Sequence, residues 1–132
     1  MSKKKKINKG SFYYSYWGEP HPAQIYEVDK KYKTYKSIRF GTTKRKHMTE
    51  IRPIQRGIKK SFVKNRPFIG VRSDYGDREL LGLCIDSRDK DTIEKIKSNN
   101  PEVSKRAKAR YKKMPSAPNE VKDGDLYNKW DY

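Results

Sequence analysis

The residues best equipped for chemistry fall in two short stretches. His21 lies between Pro20 and Pro22. The two proline rings restrict the backbone around it to extended conformations, so its neighbours fix its direction. Imidazole titrates near neutral pH and can give or take a proton there. In the second stretch, Gly41-Thr42-Thr43 ends a run of β-forming residues and Lys44-Arg45-Lys46 follows. Hydroxyls, backbone N–H groups and three cations at one strand end are groups that contact a phosphate chain. Residues 65–80 hold Arg66, Arg72, Asp74, Asp77, Arg78 and Glu79. By composition this mixture reads as a salt-bridge network in a loop sooner than as an active site.

Charge narrows the partners. The chain has 132 residues, which implies one domain, and 33 Lys and Arg against 16 Asp and Glu give a formal net charge of +17. Such an excess attracts a polyanion, with RNA or DNA first and an anionic membrane second. No apolar run is long enough to span a membrane. The lysines at positions 3, 4, 5, 6 and 9 precede no apolar segment, so no signal peptide is expected. Cys84 is the only cysteine, which excludes an internal disulfide framework and a cysteine-based zinc site. No metal and no cofactor are expected, and the cytoplasm is the simplest compartment. Hydrophobic residues make up 33% of the chain, below the 45–50% or so of a globular domain. Part of the chain is therefore expected to be tail.

The elements that must position these groups read as mainly β, with helices towards the C-terminus. Residues 1–9 form a basic arm, expected to be disordered and able to hold a phosphate backbone. The strand at 12–17 places Phe12, Tyr14 and Tyr16 on one face and Tyr13, Ser15 and Trp17 on the other. Tyr13 and Trp17 are then candidates for stacking on bases. A corner at 18–22 leads to a hairpin of strands 23–28 and 32–40, with a turn at Asp29-Lys30-Lys31 and Arg39 on the face opposite Ile38 and Phe40. A short strand is expected at 48–54, another short strand or a packed turn at 61–63, and a loop at 65–80. The apolar run at 79–85 reads as a buried central strand with Cys84 as a core residue. Asp89 is placed to cap a helix carrying Ile93 and Ile96. Pro101 can open a second helix, expected over 101–114, with Lys105, Arg106 and Arg110 on its basic surface. Residues 115–132 form an acidic, aromatic tail, expected either to be solvated or to fold back near Trp17 and Arg45.

Taken in order, residues 10–97 resemble the PemK/MazF family of toxin endoribonucleases. The features are a strand after Gly10, a glycine-containing loop leading to His21-Pro22 where the family commonly has Arg-Pro, a hairpin strand ending in Gly41-Thr42-Thr43, an apolar strand and a terminal helix. Arg72-Ser73-Asp74 is similar to an Arg-x-Asp pair of some members. The resemblance implies a small SH3-like barrel, a homodimer, and metal-independent cleavage of single-stranded RNA. In that chemistry the ribose 2′-hydroxyl attacks phosphorus, so a base, an acid and donors to the phosphorane are needed. The resemblance gives His21 the acid or base role, Arg72 the phosphorane charge, Asp74 the orientation of His21 or the taking of a proton, and Thr42 or Thr43 a donor to phosphate. Nucleic-acid contacts are expected from Tyr13, Trp17, Arg39, Lys44, Arg45, Lys46, Arg66, Lys105, Arg106 and Arg110. Two other readings stay open: a non-catalytic RNA- or DNA-binding module on the same barrel, and a mobile-element or phage regulator that binds a host nucleoprotein complex. RNA is favoured over DNA, and an antitoxin or a host complex is the candidate protein partner.

Overall fold

The computed structural model describes residues 6–112, apart from the side chains of Trp17 and Lys112. The expectations for residues 1–5, for 113–114, for the acidic tail and for stacking by Trp17 lie outside the described residues.

Strand β3 (Thr34–Gly41) is the centre of the sheet. Along one edge it pairs antiparallel with β2 (Glu19–Asp29), from Ala23↔Arg39 to Asp29↔Thr34. Its other edge is divided between two partners. Thr34–Ser37 pair with β6 (Phe68–Val71), and Phe40 and Gly41 pair with β5 (Ser61–Lys64). β2 pairs in turn with β1 (Phe12–Trp17), and β1 with β7 (Tyr75–Leu80). β4 (Met48–Ile51) forms a hairpin with β5, and the two-residue β8 (Glu102–Val103) runs parallel to β6. The hydrogen-bonded path is β4-β5-β3-β2-β1-β7. Its ends approach each other through a bridge between Gln55 and Leu83 and a 2.9 Å bond from the Cys84 N–H to the Ile54 carbonyl. These contacts are not a ladder, and the sheet is not closed.

Alternation along β3 places apolar side chains on both faces. Ile38 and Phe40 join Phe12, Ile51, Ile54 and Val63 under helix α1 (Lys90–Lys97), which contributes Ile93 and Ile96. Fully burying each such side chain stabilises the fold by roughly 1.5–3 kcal/mol. Further along the same face, helix α2 (Lys105–Lys112) seats Ala107 and Tyr111 against Tyr32, Ile69, Val71 and Val103. On the opposite face Tyr13, Ala23, Ile25, Phe68 and Tyr75 pack together with Ile7. Residue 7, expected in a disordered arm, is therefore a core residue. The Tyr75 hydroxyl lies 3.0 Å from Ser37 Oγ, so its burial leaves the polar tip bonded.

Several expected elements differ. The prolines at 20 and 22 lie within β2 rather than in a corner before it. They are tolerated because β3 begins to pair only at Ala23, leaving this half of β2 with β1 alone. Residues 65–80, expected as a loop, hold β6, a 3-10 turn at Arg72–Asp74 and β7. Residues 79–85 are not a central strand. β7 stops at Leu80, Leu81 is 78% exposed, Gly82 takes φ 81° and Cys84 is exposed. Residues 101–104 are extended rather than helical, since β8 lies in the ladder with β6. α2 starts only at Lys105, where Ser104 Oγ accepts the Ala107 N–H at 3.1 Å as a cap. Asp89 stands at the start of α1 as expected. Its carboxylate, however, takes the Arg52 N–H at 2.9 Å and the Arg52 guanidinium at 3.0 Å.

Candidate anion site

On the face opposite the helices, one end of the sheet is polar. The register sets Arg39 of β3 beside Ala23 of β2, and the offset of β5 brings Lys64 to its other side. Arg39 is 2% exposed and its guanidinium lies 4.3 Å from the centre of the Phe68 ring. Its Nη2 is 3.1 Å from Oε2 of Glu102, which β8 carries to this place. Arg66, just before β6, sets its Nε 3.6 Å from the same oxygen. The four side chains converge because β5 and β8 reach the same face from the two halves of the divided edge of β3.

The electrostatics follow. Burial pulls the Lys64 amine from 10.5 down to about 8, helped by Arg39, Arg66 and Arg45 and opposed by Glu102. Burial also raises the Glu102 carboxyl, but Arg39, Lys64 and Arg66 outweigh it and hold the group below its usual value. His21 sits at the edge of this cluster. Its Nδ1 is 3.8 Å from where a Cβ of Gly41 would stand, and the Met48 methyl is at 3.5 Å, both ordinary contact distances. Burial lowers the His21 pKa, as do Arg45, Lys64 and Arg39, while Glu19 raises it. The net lowering leaves a neutral imidazole at neutral pH. His47 is lowered in the same way by burial and by Lys46, Arg66 and Lys64.

The residues expected to be catalytic are put to different uses. Asp74 does not orient His21. Its Oδ2 accepts the Val71 N–H at 2.8 Å and the Ser104 hydroxyl at 2.7 Å, and its Oδ1 accepts Arg106 Nη1 at 2.9 Å. Arg72 donates to the carbonyls of Gly76 at 3.0 Å and Tyr75 at 3.3 Å, with its guanidinium 5.8 Å from the Tyr13 ring centre. Both tie the turn between β6 and β7 in place, and Asp74 also anchors α2. Thr43 is exposed after the end of β3, next to Lys44, Arg45 and Lys46, which are exposed as well.

The expected nucleic-acid contacts divide similarly. Tyr13 is 2% exposed and cannot stack on a base; among the described side chains of β1 the exposed aromatics are Tyr14 and Tyr16, on its other face. Arg39 is buried, within the cluster rather than on an open surface. Arg66 belongs to the cluster. Arg106 holds Asp74, and Arg110 donates to the carbonyls of Lys33 at 2.7 Å and Tyr32 at 3.1 Å, so both fasten α2. Lys105 remains exposed. Lys64 and Glu102 were not singled out from the sequence. The only signal was weak: Glu102 is the one acid heading a basic segment. No helix among the described residues is long and apolar enough to cross a membrane. Comparison with protein-family models, with curated proteins and with solved structures gave no match.

Proposed function

We propose that this chain binds single-stranded nucleic acid, RNA ahead of DNA, through the cationic end of its sheet, on a small SH3-like fold of the kind that the resemblance to PemK/MazF toxins implies. One observation carries the reading: two arginines converge on a single carboxylate oxygen of Glu102, Arg39 Nη2 at 3.1 Å and Arg66 Nε at 3.6 Å, with Lys64 beside them. The Lys64 amine is lowered first by burial and then by Arg39, with Arg66 and Arg45 adding to it, so cations crowd this end of the sheet. Phosphate is the ligand such a field attracts. The exposed Lys44, Arg45 and Lys46 extend the surface from the cluster, as a chain of phosphates requires.

The test is fluorescence anisotropy of a labelled single-stranded RNA across a salt series. About four contacts, from Arg45, Lys46, Lys64 and Arg66, give a slope of log K against log salt of about −3. Lys64→Met should flatten that slope by roughly one contact's share. Absence of binding to RNA and DNA at low salt would refute the reading.

A second reading, RNA cleavage, is favoured by the neutral imidazole of His21 beside the cluster. It could take the 2′-hydroxyl proton while Lys64 and Arg66 hold the phosphate charge. Arg72 and Asp74 have no part in this version. Incubation of mixed RNA with EDTA, followed by mapping of 5′-hydroxyl ends, tests it. His21→Ala should remove those ends, and their persistence would exclude His21.

A further inference from the structure

Glu102 occupies an unusual position in the cluster. The backbone around it is fixed: its N–H donates to the Pro67 carbonyl at 2.8 Å, and the Ser104 N–H donates to the Ile69 carbonyl at 2.9 Å. A single carboxylate oxygen, Oε2, faces both Arg39 and Arg66, at 3.1 and 3.6 Å. The arginine side chains are 2% and 13% exposed, while that of Glu102 is 39% exposed. An anion reaching Arg39 from solvent therefore takes the place of the carboxylate rather than adding behind it. The Phe68 ring, its centre 4.3 Å from the guanidinium, covers one face of Arg39.

Charge decides what the place suits. Arg39, Lys64 and Arg66 gather around the one carboxylate of Glu102, three positive charges to one negative among these four side chains. A phosphodiester brings one negative charge. A phosphate monoester brings about 1.5 to 2 at neutral pH, with three acceptor oxygens, enough for two guanidiniums and an amine.

We infer that the Arg39–Lys64–Arg66 recess seats a phosphate monoester, the terminal phosphate of a nucleic-acid strand, and that the Glu102 carboxylate holds that seat in the free protein. This rests on the nucleic-acid reading and makes it narrower: the chain grips an end. His21 and Gly41 lie next to the recess, and Lys44–Lys46 are placed to take the diesters that follow.

The experiment compares the full chain's affinity for one ten-nucleotide RNA in three forms: 5′-phosphate, 3′-phosphate, and hydroxyl at both ends. One phosphorylated form should bind about tenfold more tightly than the hydroxyl form, the worth of one added charge-assisted hydrogen bond. The form that gains identifies which end is held. Glu102→Gln removes the competing charge and should tighten binding of that form several-fold. Lys64→Met should erase the difference between forms, with circular dichroism showing the sheet intact. Equal binding of all three forms overturns the terminal-phosphate seat and leaves nucleic-acid binding standing. Unchanged affinity in Glu102→Gln overturns the role given to the carboxylate. Absence of binding by any form overturns both readings.

Discussion

Raising the pH should stabilise this protein through Lys64, in a window where most proteins gain nothing. The amine titrates at about 8 in the folded chain, against its ordinary 10.5. Below pH 8 it is charged in both states, and the folded state bears the full cost of holding that charge. Between about 8 and 10.5 the unfolded chain binds more protons, so stability rises with pH. From pH 7 to 9.5 the linkage would return roughly 2 kcal/mol for a fully buried amine. Lys64 is only half-buried, so solvent screening reduces this to about 1 kcal/mol. Tyrosine acts in the opposite direction and must be kept out of the measurement. Burial pushes Tyr26 and Tyr75 well above their ordinary value, so stability falls once unfolded tyrosines ionise near pH 10. Urea unfolding at pH 7 and 9.5 isolates the lysine, with Lys64→Met as the reference. The wild-type midpoint should rise relative to the variant. Parallel behaviour of the two proteins would show that neither burial nor the neighbouring guanidiniums lower the Lys64 amine, and the reasoning would be refuted.

Gly70→Ala should cost about 1–3 kcal/mol in urea unfolding, because a Cβ there would stand 2.7 Å from Phe68 Cε2 and 3.0 Å from the Asp74 carboxylate. Tyr111→Phe removes the buried 2.9 Å bond to Thr34 Oγ1, and a loss of about 1 kcal/mol in the same assay is expected. Asp74→Asn should destabilise by about 2 kcal/mol and loosen α2, seen as faster amide exchange at 107–111, because it weakens charge-assisted bonds to Arg106, Ser104 and Val71. A variant at Asp74 that lost RNA cleavage while keeping full stability would instead return that residue to a catalytic role.

The strands were legible where local pattern and tertiary environment agree. The hairpin of β2 and β3 has alternating side chains and a polar turn, in which Asp29 Oδ1 accepts the Tyr32 N–H at 3.1 Å. β6 and β7 were illegible because their glycines and charges look like punctuation. Gly70 is small because Phe68 and Asp74 fill its surroundings, and Gly76 because Tyr14 and Tyr16 do. Those are tertiary reasons that no local pattern displays. The 79–85 run misled in the other direction, since hydrophobicity alone did not bury Leu81. In the site, His21 and the 44–46 run could be found from residue type and position. Lys64 and Glu102 lie 38 positions apart and meet only through the pairing of β5 and β6 with one strand. Arg72 and Asp74 drew a chemical role from the family resemblance, whereas in the fold Arg72 donates to backbone carbonyls and Asp74 holds Val71, Ser104 and Arg106.

The division of β3's outer edge also distributes mechanical strength unevenly. Six register pairs tie β3 to β2, and four tie it to β6. The β4–β5 hairpin hangs from β3 by only two, at Phe40 and Gly41. That attachment is the seam along which the sheet should part first, in an opening smaller than global unfolding. Amides of the hairpin would then exchange with solvent hydrogen ahead of those in β2 and β3. Since Lys64 rides on β5, such an opening would also carry the amine away from Arg39 and unload the crowded charge at that end of the sheet.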